Sequence, residues 1–260
     1  MAEPGAVGPS ETDPQIEPLF YPSNELGFDA PLRWLKLGWR DMQRARVQSL
    51  TYGAGLVLFG YLITWLAWGE GNTLALFTLG VAFILSGPVL AFGLYSISRQ
   101  LEQGRKPRLG ICLMESRNHL RNETLFALVM LVVLLVWARA ASMVHVFFPF
   151  GEELGVLGWI EFLAIGSAVG ALFGTIVFSA SVVSLPMMLD RGTDAITSAL
   201  TSINAVVHNK GVMLLWAAII VGLVSVGFVT AYLGLAIVLP LIGHATWHAY
   251  RETVKSVKVD

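Results

Sequence analysis

The sequence predicts an all-α polytopic membrane protein: six transmembrane helices arranged as three hairpins, each hairpin preceded by an amphipathic cytoplasmic helix. Three observations carry that prediction. The chain is 55% hydrophobic and only 13% charged, with a mean hydropathy of +0.66, whereas soluble domains hold about 25% charged residues. Its apolar residues gather into runs near 49–68, 73–96, 125–148, 159–184, 212–230 and 233–250, close to the roughly 20 residues that carry a helix across a bilayer. Finally, 16 of the 17 Lys and Arg residues fall in four short segments between or beside those runs.

The elements follow in chain order. Residues 1–30 hold five prolines, six acids and no Lys or Arg. So polar a stretch buries too little apolar surface to fold alone, and it reads as a disordered acidic tail. Within it, Leu19, Phe20, Tyr21 and Pro22 read as a cluster resting on protein or lipid, with a docking motif as the alternative. Residues 1–30 contain no apolar signal-peptide core, so the membrane helices are expected to direct insertion themselves. Residues 31–252 form the membrane domain, and 253–260 a short C-terminus.

Orientation follows from the basic residues. They occupy Arg33–Arg46, Arg99–Arg121, Arg191 with Lys210, and Arg251–Lys258, while "GEGN" (69–72) and "GEELGVLG" (151–158) have none. Six alternating spans put all four basic places on one side, so both termini are expected in the cytoplasm. The segments before each hairpin, 31–50, 106–125 and 194–213, read as a threefold internal repeat. In that alignment Asp41, Ser116 and Ser202 are equivalent, as are Gln43, Asn118 and Asn204. Such helices are suited to lie at the headgroup boundary, with basic residues toward anionic lipid, or to cap the bundle from below.

Few residues offer chemistry. "GSAVGALFG" sets Gly166, Gly170 and Gly174 at a four-residue period, the pattern that lets membrane helices approach closely. Packing within the chain is the expected use and a dimer seam the alternative. Arg139 is the basic residue inside a span, where a charge costs about 2.5–3.5 kcal/mol on insertion scales. It needs a partner, and Glu161 is the expected one. Arg139, His145 and Glu161 form an intramembrane polar cluster, read first as a structural ion pair and second as an ion or substrate site. His244 and His248, at i and i+4, share a helix face. They are weak candidates for a metal or haem, because a metal site needs three or four ligands. Beside Trp247 and Tyr250 they are expected to anchor the helix at the membrane surface. In the segment after span 4, Pro186 is expected to break the helix, Asp190 or Asp194 to cap the next one, and Asp190 and Arg191 to pair with the second basic segment. Asn204 completes the cytoplasmic set. A net charge of −1 gives no reason to expect nucleic acid, and the single cysteine, Cys112, excludes an internal disulfide. No catalytic fingerprint nominates an enzyme, and no cofactor is expected.

Three blocks, "WARAASMVHVFFP" (137–149), "SLPMMLDRGTDAITSALTSINAVVHN" (184–209) and "VLPLIGHATWHAYR" (238–251), resemble a family of uncharacterised six-helix bacterial inner-membrane proteins, a domain family of unknown function. The resemblance covers roughly residues 30–252 and implies the fold and the inner membrane. Some members of that family carry an automatic label of cytochrome c oxidase subunit I. The catalytic oxidase subunit has twelve helices and six intramembrane histidines. This chain has five histidines in all, so the ligand count fails. The resemblance leaves an accessory, assembly or membrane-organising role, possible partners being membrane lipids and other inner-membrane proteins such as respiratory complexes. A small transporter or channel built on the polar cluster of spans 3 and 4 is the alternative.

Overall fold

The computed structural model describes residues 19–69, 79, 82–83, 86–147 and 155–255, except the side chains at 67, 69, 111–123 and 145. Among the described residues the regular elements are all helical. They are α1 (Ala30–Arg44), α2 (Arg46–Gly69), α3 (Gly87–Leu90), α4 (Phe92–Glu102), α5 (Leu109–Phe147), α6 (Val156–Ser181), α7 (Ser184–Arg191), α8 (Ala195–His208), α9 (Lys210–Val229) and α10 (Leu235–Thr253).

Four stretches are long and apolar enough to cross a membrane: Arg46–Leu66, Thr124–Val144, the run Val156–Arg191 and Lys210–Val229. They answer to the first, third, fourth and fifth expected spans. Of the expected second span, 73–96, the first six residues and 80–81 and 84–85 lie outside the described residues; its end is α3 and the start of α4, separated at Ala91. The sixth, 233–250, is the helix α10, which is not among those four stretches. Its second half carries His244, Thr246, His248, Arg251 and Glu252 among apolar residues, and this polarity lowers its hydropathy.

The three segments expected to repeat differ from one another. α1 and α8 are separate helices of 15 and 14 residues. The middle segment has no break and runs straight into the next span as the 39-residue α5. No Gly or Pro stands between Ile111 and Met143, so nothing in that stretch stops the helix.

α10 is the axis of the packing. Gly38 brings α1 against it so closely that a Cβ there would sit 2.6 Å from the Ala245 nitrogen. A Cβ at Gly53 on α2 would overlap the Ala236 carbonyl, and one at Gly243 would lie 2.6 Å from the Leu94 side chain of α4. Small residues thus let α1 and α2 meet α10 backbone to backbone and leave room on α10 for the Leu94 side chain of α4, the close contact that holds helices together where lipid removes the hydrophobic drive. Gly166, Gly170 and Gly174 on α6 have open space instead, with nothing among the described residues within 4 Å of an added Cβ.

At one end of the bundle a core forms around Trp34, Met187, Met188, Met213, Trp216, Trp247 and Tyr250, all essentially buried. The Trp34 and Trp216 rings meet edge to face at 5.5 Å, a favoured aromatic geometry. The two ends of the described chain meet here too. Residues 19–29, placed by the sequence in the acidic tail, form a strap across this core. Asn24 N–H donates to the Thr253 carbonyl at 2.8 Å and Lys255 N–H to the Pro22 carbonyl at 3.0 Å. Tyr21 N–H donates to Thr201 Oγ1 at 3.0 Å. Asn209 anchors the strap from the start of α9: its Oδ1 accepts from Leu26 N–H, and its Nδ2 donates to Ser23 Oγ and the Asn24 carbonyl. The tail expectation fails over these residues because backbone hydrogen bonds and the Tyr21 ring, stacked under Arg191 at 4.8 Å, supply what composition does not. Asn209→Ala removes these bonds, each worth about 1 kcal/mol. Amide exchange in residues 21–26 is expected to speed up by more than tenfold while α9 and α10 stay protected; unchanged exchange would detach the strap from Asn209.

The α7–α8 connection is set locally. The helix break falls at Val182–Val183, ahead of Pro186, which is accommodated in the first turn of α7 rather than ending α6. Gly192, at φ +67°, closes α7 in the left-handed conformation that suits glycine. Asp194 then caps α8: its Oδ1 accepts from Ile196 N–H at 2.8 Å and Thr197 N–H at 3.0 Å. Partial burial pushes its carboxyl pKa up, but the hydrogen bonds from Thr197 and Ile196 outweigh that and hold it below the usual range. A folded-state pKa below the unfolded value stabilises the fold above the unfolded pKa, and the contribution fades as pH falls through the folded one. Asp194→Ala is therefore expected to cost about 1 kcal/mol at neutral pH. The gap from wild type should narrow below about pH 4. A pH-independent gap in unfolding titrations would assign the loss to packing instead.

Candidate functional site

Five polar side chains from four helices form one continuous, largely buried hydrogen-bonded chain. α1 contributes Asp41, one turn past the close approach at Gly38. α2 contributes Ser49 in its first turn, α4 contributes Ser98, and α10 contributes His244 and His248, one turn apart. Ser49, Ser98 and His244 are fully buried or nearly so, and Asp41 is 6% exposed. His244 Nε2 lies 2.9 Å from Ser49 Oγ, and its Nδ1 lies 2.8 Å from Ser98 Oγ. Ser98 Oγ donates to Asp41 Oδ2 at 2.9 Å, and His248 Nε2 is 2.8 Å from the same oxygen.

The donors available fix the proton positions. A carboxylate only accepts, so the Ser98 hydroxyl proton points to Asp41. Ser98 Oγ must then accept from His244 Nδ1–H. In a neutral ring the other nitrogen is bare, so His244 Nε2 accepts from the Ser49 hydroxyl. His248 donates Nε2–H to Asp41. Every member of the chain is satisfied, the condition under which a buried polar network stabilises its surroundings.

This order, hydroxyl to imidazole to hydroxyl to carboxylate, contains the parts of a nucleophilic relay with an extra serine between base and acid. Its geometry does not suit attack on a substrate. Ser49, the hydroxyl facing the imidazole, is fully buried, and a nucleophile needs room for a reacting atom beside it. What the chain does is fix the register of α1, α2 and α4 against α10.

A second, more exposed layer surrounds it. Arg251 on α10 bridges Glu102 of α4 at 2.9 Å and Asp190 of α7 at 3.0 Å. Trp247 Nε1–H donates to the other Glu102 oxygen at 2.9 Å, and Tyr250 O–H to Asp190 Oδ2 at 2.7 Å. Arg191 donates to Tyr250 Oη at 3.0 Å and to the Val254 and Lys255 carbonyls. On α1, Trp34 Nε1–H donates to Glu252 Oε2 at 2.8 Å, and Arg33 pairs with Glu252 and Asp29.

His244 and His248 do share a face, but as members of a hydrogen-bonded chain. Both His244 nitrogens and His248 Nε2 are engaged, and the described residues contain no group of three or more side chains suited to a metal. The surface-anchor expectation gives way for His244, Trp247 and Tyr250, which are buried, while His248 is half-buried. Asp190 and Arg191 sit in the ion-paired layer, and Arg99 of the second basic segment reaches Asp190 at 3.8 Å. Asn204 is half-buried on α8. Arg139 and Glu161 are both exposed, and no ion pair joins them among the described residues. The His145, Ser116 and Asn118 side chains lie outside the described ones. Ser49 and Ser98 are not marked in the sequence as site residues; their one signal there is a small hydroxyl at the end of an apolar run.

A bundle of long apolar helices tied at one end by polar side chains is the architecture of an integral membrane domain. Residues 76–190 match the family model "Predicted integral membrane protein (DUF2189)". This is an uncharacterised membrane-domain family, of the kind the sequence resembles. The DUF2189 match takes in the first of the three resembling blocks whole and the start of the second. It spans Ser98, Arg139, Glu161, the α6 glycines and Asp190, whereas Asp41, Ser49, His244 and His248 lie outside it. No curated protein and no solved structure matches the chain.

Proposed function

We propose that this protein is a non-enzymatic accessory, assembly or organising protein of the bacterial inner membrane, with six spans, three hairpins and both termini in the cytoplasm. The observation that carries the role is the division between its two ends of polarity. The polar groups are bonded to one another in a cap that ties the strap, α1, α4, α7 and α10 together. The apolar faces of α5 and α6 stay open: Leu128, Val132 and Leu135 on one, and Ile160, Leu163 and Leu172 on the other, are all exposed. A stiff cap holding open apolar helices is suited to supporting neighbours in the bilayer. The topology is supported by the strap, which pairs residues 22–24 with 253–255 and so sets both described ends together, beside the basic segments.

Respiratory complexes are the first partners to test, since the family resemblance carries oxidase labels. The experiment is mass spectrometry of the tagged protein in native-lipid discs, for wild type and Gly170→Phe. A stoichiometric membrane partner, lost in the variant while tryptophan fluorescence shows an intact fold, is the expected result. Wild type accompanied only by lipid in repeated preparations would remove the proposal.

One observation favours a second reading, a small proton-linked transporter: the polar chain from Ser49 to His248 is a continuous hydrogen-bonded route. It differs from the Arg139, His145 and Glu161 cluster of the sequence reading. Proteoliposomes collapsing an imposed pH gradient faster with wild type than with His244→Phe would establish it; equal rates would dismiss it.

A further inference from the structure

We propose that the cleft between α1, α4 and α10 binds the phosphate of an anionic phospholipid headgroup, clamped between Arg40 and Arg44. The inference stands on its own observations and does not depend on the role proposed above. The cleft holds about 190 Å³ and is walled by Leu37 and Leu101, with Arg40, Arg44, Asp41, Glu102 and His248 around it. Arg40 and Arg44 are one turn apart on α1 and so project to the same side.

The charge in this cleft is unbalanced in a specific way. Asp41 Oδ2 is taken up by Ser98 and His248. Glu102 is taken up by Arg251 and Trp247. Both carboxylates are thus directed to partners on α4 and α10. Among the described residues neither Arg40 nor Arg44 has an ion-pair or hydrogen-bond partner, and both are exposed. Two guanidiniums on one face present parallel N–H donors, the geometry that takes up phosphate oxygens. Arg105 and Lys106, exposed just beyond the end of α4, add to the positive field on that side.

The neighbouring surface points to lipid as the source of the phosphate. Leu32 and Trp39 are also exposed on α1, with Val47 just beyond, over a quarter turn round the helix from the two arginines. A tryptophan and aliphatic side chains beside arginines are what the headgroup boundary accommodates. The Leu37 and Leu101 walls offer apolar contact to the part of the lipid next to the phosphate. A free phosphate would use the two arginines and leave those surfaces uncovered.

The test is native mass spectrometry of the full chain in mixed micelles with phosphatidylglycerol, phosphatidylcholine of the same acyl chains, or inorganic phosphate alone. Wild type is expected to retain one phosphatidylglycerol in preference to phosphatidylcholine. Arg40→Gln with Arg44→Gln should weaken that retention at least about tenfold. Arg105→Gln with Lys106→Gln should leave it within about twofold. Equal retention of the two lipids would overturn the proposal. So would an unchanged Arg40/Arg44 double variant, or a loss as large in the Arg105/Lys106 pair. Displacement of phosphatidylglycerol by inorganic phosphate at similar concentration would assign the cleft to a free anion. If the double variant does not fold, a photoactivatable phosphatidylglycerol on wild type decides: labelling of the Leu37 and Leu101 peptides supports the clamp, and labelling elsewhere overturns it.

Discussion

Replacing Asp41 with alanine is expected to destabilise the fold by about 3 kcal/mol, one of the two largest effects among these predictions. Asp41 is nearly buried and accepts from both Ser98 and His248. Hydrogen bonds to a charged group contribute about 1.5–3 kcal/mol each, and their loss leaves two donors without an acceptor. One donor, Ser98, is 1% exposed and loses its acceptor within the protein. It can turn to His244 only if that ring changes tautomer, which then leaves Ser49 to find another acceptor. The disturbance therefore spreads along the whole chain rather than staying at one residue. Asp41→Asn keeps one acceptor oxygen and should cost less than half as much. Denaturant titration of the detergent-solubilised protein, followed by tryptophan fluorescence, measures both. Trp34, Trp216 and Trp247 all lie in the core beside this chain. An Asp41→Ala midpoint equal to wild type would mean that the polar chain does not hold α1 and α4 to α10.

What the sequence makes legible is set by the range of the interaction. The apolar runs declare membrane helices because each run is a local property, and α2, α5, α6 and α9 fall where four of them do. The Asp194 cap is likewise local: a carboxylate two and three residues ahead of the amides it accepts from. The histidine pair is visible as a face. Its partners are not, because Ser49 and Ser98 are 195 and 146 residues away from His244, and a serine at the end of an apolar run has no pattern of its own. The strap is hidden for the same reason. Its composition describes a tail, and only the arrival of Thr253 and Asn209 beside it turns it into structure. The expected ion pair of Arg139 with Glu161 rests on sequence neighbourhood across a loop, and the structure leaves both side chains exposed with no ion pair between them.

The glycines show the same limit and give the second large prediction. A four-residue period marks Gly166, Gly170 and Gly174, yet close approaches fall at glycines such as Gly38, Gly53 and Gly243, which have no shared period. Gly53→Ala would force its methyl into the Ala236 carbonyl and to 2.8 Å from Pro240 Cγ. Neither obstacle can swing aside, since one is backbone and the other a ring that locks the helix around it. α2 must move off α10, and Ser49, one turn earlier on α2, moves with it, drawing on the His244 bond. Overpacking of this kind costs about 1–3 kcal/mol, and the coupled strain on the buried chain places Gly53→Ala at about 3. Gly170→Ala meets open space and should be neutral or stabilising by up to about 1 kcal/mol through helix propensity. Unfolding titrations of the two variants side by side separate periodicity from contact. A larger loss at Gly170 than at Gly53 would put the packing seam on α6 and reverse the assignment of α10 as the axis of the bundle.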